Sequence, residues 1–103
     1  SDTYSGTATY FIPEDQGGST GACGPSEDVN SNIVAINAPQ YGSMSDVSDW
    51  CGQEIEITGP AGSTTAVVND ACPECGYGSL DLTPAVYEQV VGDFDAGEAD
   101  ITW

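Results

Sequence analysis

The chain of 103 residues carries 17 Asp and Glu and no Lys, Arg or His, giving a formal charge of -17 at pH 7. With no cationic side chain to meet phosphates, neither nucleic acid nor an anionic membrane surface is an expected partner. Ser-His and Cys-His nucleophile pairs, lysine Schiff bases and phosphate-loop lysines are excluded too, which leaves proton transfer to carboxylates, tyrosines or water.

A chain of this length builds one small core, so a single domain over residues 1–103 is expected. Its apolar fraction of 39%, with 13 Gly and 6 Pro, points to short elements joined by many turns. Residues 7–11 are β-prone and stop before Pro13. Residues 14–32, rich in Gly, Ser and acids, read as a long loop, and 33–36 as a short apolar strand closed by Asn37 and Pro39. Ile55 and Ile57 alternate with Glu54, Glu56 and Thr58, the period-2 pattern of a half-buried strand. After the turn at 59–62, residues 64–68 form the returning strand of a hairpin.

The helix is punctuated more sharply. Thr83 suits the N-cap and Pro84 the first helical position, where its missing N–H costs nothing. Val86, Tyr87, Val90 and Val91 then share one face, and Gly92 ends the element. Residues 99–103 form a last strand. The expected architecture is all-β: about six short strands in a compact barrel with one short helix.

Cys23, Cys51, Cys72 and Cys75 form an even set in a small acidic chain. Two disulfides in an oxidising compartment are expected, with the pairing open. Cys72 and Cys75 have the spacing of a zinc knuckle, but Cys23 and Cys51 form no second knuckle, so neither metal nor cofactor is expected. The polar opening at Ser1, Asp2 and Thr3 is that of a processed secreted chain, and no apolar run approaches the roughly 20 residues of a membrane span.

The candidate chemistry lies between residues 67 and 83. Asp70 ends an apolar strand, and Asp81 sits between Leu80 and Leu82, where burying an ionised carboxylate is costly unless it is paired. Two such carboxylates near each other raise the pKa of one, as a general acid requires. Alternatively, Asp81 binds backbone amides at the helix start and holds the turn. Glu27, Asp28, Asp93, Asp95 and Glu98 read as solvated charge.

The segment VNDACPECGYGSLDLTP at 68–84 resembles the core of expansin-related double-psi β-barrels, and more specifically the fungal single-domain loosenins. GTATYF at 6–11, GACG at 21–24, IVAIN at 33–37, WCG at 50–52 and ITW at 101–103 follow in the same order, so the likeness covers nearly the whole chain. It implies a six-stranded double-psi β-barrel that is secreted and monomeric. The expected partner is a cell-wall polysaccharide such as cellulose, chitin or a related glucan, loosened without hydrolysis.

Asp81 matches the general acid of the related inverting family 45 glycoside hydrolases, which expansins retain for loosening. Thr9 and Asp70 match further polar positions of the expansin groove. The hydrolase base is expected just after the first-strand tyrosine, yet Tyr10 is followed by Phe11, Ile12 and Pro13. Glu14 and Asp15 are the nearest substitutes for a weak hydrolase. Bacterial expansins carry an aromatic residue where this chain has Cys72, and full-length expansins carry a second, carbohydrate-binding domain. Sugar stacking therefore falls to Tyr10, Trp50 and Tyr77, while Tyr87 and Trp103 are expected in the core. A different class remains open: the same barrel occurs in secreted protease inhibitors and defence-type proteins, for which residues 14–32 would be the binding loop.

Overall fold

The computed structural model describes residues 3–11, 32–42 and 48–103. Six strands form a closed barrel: β1 (Ser5–Tyr10), β2 (Ile33–Asn37), β3 (Glu54–Gly59), β4 (Gly62–Cys72), β5 (Leu80–Leu82) and β6 (Ala99–Thr102). Around the barrel the order is β1-β5-β2-β4-β3-β6. β1 runs parallel to β5 and β2 parallel to β4, while the remaining neighbours are antiparallel.

Alternation along each strand decides what faces inward. Ala8, Val34, Ile36, Ile57, Val68, Leu80 and Leu82 are fully buried and fill the barrel. Each of the larger ones contributes roughly 1.5–3 kcal/mol of burial. α2 (Pro84–Val90) closes over this core with Val86, Tyr87 and Val90. Its Thr83 stands at the N-cap without a side-chain capping bond, because its hydroxyl instead donates to the Ile33 carbonyl at 3.2 Å. Gly92 adopts the left-handed conformation just past the helix, at φ 81°.

β5 was not foreseen as a strand. Three residues are too few for a periodic signal, but Leu80 and Leu82 fit a core bounded by β1 on one side and β2 on the other. A one-turn helix, α1 (Ala38–Tyr41), was also unforeseen. Asn37 caps it by accepting from the Gln40 N–H at 3.0 Å, and Pro occupies an early helical position. The returning hairpin strand is longer than residues 64–68, running on to Cys72. Tyr87 and Trp103 are core residues, as expected.

The turn before β5 is fixed by a close crossing. A Cβ at Gly6 would collide with the Gly78 backbone, and one at Gly78 with the Ser5 carbonyl. The Trp103 indole N–H donates to the Gly78 carbonyl at 2.8 Å. Cys72 and Cys75 form a disulfide with their Cα atoms 5.4 Å apart. Cys51 is disulfide-bonded as well, and Cys23 lies outside the described residues.

Candidate functional site

Four consecutive strands place Thr9, Asp81, Ala35 and Asp70 in one row. Asp81 on β5 pairs with Thr9 on β1 and with Ala35 on β2. Ala35 in turn pairs with Asp70 on β4. The flanking residues Ala8, Leu80, Leu82, Val34 and Ile36 point into the core, so this row faces outward. Asp70 joins it only because the β2–β4 register shifts between Val34 and Ala35. Val34 pairs with Val68 and Ala35 with Asp70, which leaves Asn69 as the extra residue. A one-residue slip exchanges the two faces of a strand, and here it brings an acid to the outside.

The Thr9 hydroxyl donates to Asp81 Oδ1 at 2.9 Å. Burial pushes the Asp81 carboxyl above its ordinary pKa, the Thr9 bond opposes that, and the negative charges of Asp70 and Glu74 raise it further. Asp70 accepts the Ala71 N–H at 2.8 Å. The backbone-holding alternative for Asp81 gains nothing here, since the bond it makes is to a side chain on the neighbouring strand.

Two open recesses flank Asp81. The first, about 270 Å³, runs past Phe11, Ala35, Asp70 and the 72–74 turn. The second, about 330 Å³, runs past Thr7, Thr9, Ser79, Gly76 and Glu98. Cys72, Glu74 and Asp81 border both, so together the recesses form one trough across the row. Glu98, read from sequence as solvated charge, is exposed but reaches the trough's edge. A larger recess of about 470 Å³ lies across β1, β3 and β6, but its carboxylate, Asp100, has no acidic neighbour in the lining and the rest is hydroxyl and backbone.

The aromatic residues divide. Tyr77, 65% exposed, lines neither recess but follows Gly76, which borders the second, and meets Tyr4 edge-on at 6.3 Å between ring centroids. Tyr4 packs on Trp103 at 4.7 Å and on Trp50 at 6.0 Å, and Trp50 packs on Trp103 at 5.4 Å, so Trp50 belongs to this cluster against the core. Tyr10 lines neither recess beside Asp81. It alternates with Thr9 to the other side of β1 and packs on Tyr87 and Phe94 at 4.9 and 5.0 Å. Phe11, 5% exposed, borders the trough directly after Tyr10 in sequence. Glu14 and Asp15 lie outside the described residues.

Sequence reasoning missed Glu74 and Tyr4. Glu74 shares the CPEC segment with two cysteines, and only the turn's geometry brings it to Asp81. Tyr4 precedes the first strand and carries no spacing signal. Among the described residues no group of three or more potential ligands could hold a metal ion.

Strand order, the two parallel pairs and an outward acid on the short central strand define the protein as a double-psi β-barrel domain with a carboxylate-lined trough. No family model matches the chain. Expansin-YoaJ of Bacillus subtilis is 36% identical over 73 residues, covering 69% of this chain and 30% of that protein. A mutant Clavibacter michiganensis expansin, solved in complex with cellohexaose, superposes with a TM-score of 0.79 at 30% identity, covering 98% of this chain and 48% of that one. The Streptomyces papain inhibitor superposes at 0.81 with 26% identity, covering 99% and 92%. The chain belongs to the expansin-like double-psi β-barrel family. It spans less than a third of the length of the curated relatives it matches.

Proposed function

We propose that this protein is secreted, binds cell-wall polysaccharide along the Asp81 trough as a monomer, and loosens contacts between polymer chains without hydrolysing them, as a loosenin does. The observation that carries this reading is the half-buried Asp81 carboxyl, hydrogen-bonded by Thr9 in an open trough; Phe11 stands just after Tyr10, where the resemblance leads a hydrolase base to be expected. A carboxyl held neutral to higher pH donates a hydrogen bond to a glycan hydroxyl or ring oxygen that an ionised one cannot.

Hydrolysis with inversion needs a second carboxylate on the opposite face of the sugar. Asp70 lies on the same outward row as Asp81, roughly two strand spacings or 9–10 Å away along the trough floor. A glycan lying over the floor meets both acids from one side. Thr9, Asp70 and Asp81 are therefore assigned to polar contacts, and Tyr77 to stacking beside the second recess. Trp50 supports Tyr4 and, through it, Tyr77. Binding of cellohexaose by the Clavibacter relative agrees with a neutral glucan as ligand. The disulfides fit an oxidising, extracellular compartment.

The test scores cellulose and chitin fibres for mechanical weakening and for released reducing sugar. Weakening without sugar, lost in Asp81→Asn, is the expected result. Sugar release lost in the same variant would instead identify a small glycosidase.

A second reading is favoured by one finding: the papain inhibitor is a chain of nearly matching span and fold. It places a protein partner on loops rather than a glycan in the trough. Papain inhibition at micromolar concentration, unchanged by Asp81→Asn and accompanied by no effect on fibres, would replace the first reading with this one.

A further inference from the structure

The turn from Cys72 to Cys75 forms the shared lip of the two recesses beside Asp81. Its N-terminal end is anchored, since Cys72 is the last residue of β4 and pairs with Asn37 on β2. Beyond that point the turn is held by two local links, the Cys75 N–H donating to the Cys72 carbonyl at 3.2 Å and the disulfide itself. Pro73 and Glu74 are exposed, and among the described residues no hydrogen bond ties either to the barrel. Glu74 nevertheless borders both recesses.

We propose that the Cys72–Cys75 disulfide is a redox latch on the trough: oxidised, it holds Glu74 beside Asp81, and reduced, it releases the lip. The proposal rests on reading the Asp81 trough as the functional site, and it adds a means of regulating that site. The reductant is a dithiol. One of its thiolates attacks a cysteine sulfur, forming a mixed disulfide and expelling the other cysteine as a thiolate that takes up a proton. The second dithiol sulfur then displaces the remaining cysteine, which is also protonated. The Sγ–Sγ bond is replaced by two thiols, and the reductant leaves as a cyclic disulfide after giving up two electrons and two protons.

The groups facing Asp81 are few enough for this movement to matter. β1 presents Thr9, which favours the ionised form; β2 presents Ala35, which carries no charge; β4 presents Asp70. Glu74 comes from the turn, and Glu98 borders the second recess. Asp70 and Glu74 both disfavour ionisation of Asp81. Of these two, Asp70 is fixed within a strand and Glu74 rides on the latch. Opening the lip removes one negative charge and admits water, and both changes favour the ionised carboxylate.

The test follows the Asp81 carboxyl by NMR across a pH titration in the oxidised protein, in Cys72→Ser/Cys75→Ser, which leaves the Cys51 disulfide untouched, and in oxidised Glu74→Gln. Mass spectrometry during titration with a dithiol reports when the 72–75 bond opens. The expected result is a lower midpoint for Asp81 in both variants, with the amide fingerprint of β1, β2 and β5 retained. A midpoint unmoved in the double variant overturns the latch. Loss of the strand fingerprint in that variant also overturns it, because the disulfide would then hold the barrel rather than the lip. The titration needs no glycan, so the two ideas fail separately: a midpoint that moves in a protein inert toward fibres sinks the glycan reading alone.

Discussion

Asp81 and Asp70 are register partners of the same residue, Ala35, one from each side. The two acids thus share a trough floor with a single methyl group between them, in a sequence that has no Lys, Arg or His side chain. Their mutual repulsion adds to burial in holding the Asp81 proton.

That proton has a consequence for stability. Because the folded pKa of Asp81 is raised, the folded chain binds a proton more tightly than the unfolded one, and stability falls as pH rises from the ordinary carboxylate value through the raised one. Asp81→Asn removes the buried charge while keeping an acceptor for Thr9. The variant is expected to melt above wild type at pH 7, with the gap closing as pH falls toward 4. Thermal melts at a series of pH values measure this, and a variant less stable at pH 7 would contradict the assignment.

A chain with 17 acids and no bases repels itself at neutral pH. Added NaCl screens that repulsion over a Debye length of roughly 10 Å at 0.1 M. The melting temperature is expected to rise with salt at pH 7 and to respond less at pH 4, within the ordinary carboxylate range, where the net negative charge is smaller. Equal salt response at both pH values would show that self-repulsion is not a main term.

Asn37 links the barrel to the turn before Asp81. Its buried amide donates to Gln40 Oε1 at 2.7 Å and to the Ser79 carbonyl at 2.9 Å, and Gln40 Oε1 also accepts the Gly78 N–H at 3.2 Å. Asn37→Ala removes the α1 cap, takes this donor from the Ser79 carbonyl and leaves Gln40 Oε1 with the Gly78 N–H alone, at a cost of about 1–3 kcal/mol. Urea denaturation should show a lower midpoint with an unchanged slope. A loss below about 0.5 kcal/mol would mean that water replaces the amide at little cost.

Charge also separates ligands. Binding to partly deacetylated chitin, a polycation, is expected to weaken steeply with salt, whereas binding to cellulose stays nearly salt-independent and pectin is repelled at low salt. Pull-down isotherms at two salt concentrations decide it: the same slope on both polymers would remove electrostatics from recognition.

How far the sequence reveals this arrangement depends on the length of each signal. α2 was legible because Thr83, Pro84, the Val86/Tyr87/Val90 face and Gly92 all mark one element. The hairpin was legible from the alternation around Ile55 and Ile57. β5 was not, since three residues carry no periodicity, and its position comes from core packing by Leu80 and Leu82. The outward placement of Asp70 depends on the extra residue Asn69, and an apolar strand pattern does not announce a register slip. The resemblance points to Tyr10 for sugar stacking because it lies beside a matched motif, yet it lines neither recess beside Asp81. In an extended strand, neighbours point to opposite sides.

Ala35 also sets the shape of the trough. A branched or aromatic side chain there would rise between Asp70 and Asp81 as a partition, turning one continuous channel into two blind pits. Each acid would then meet a separate small solute, and no long polymer could lie across both. On the proposed glycan reading, room for a chain-like ligand thus depends on the smallest side chain in the row.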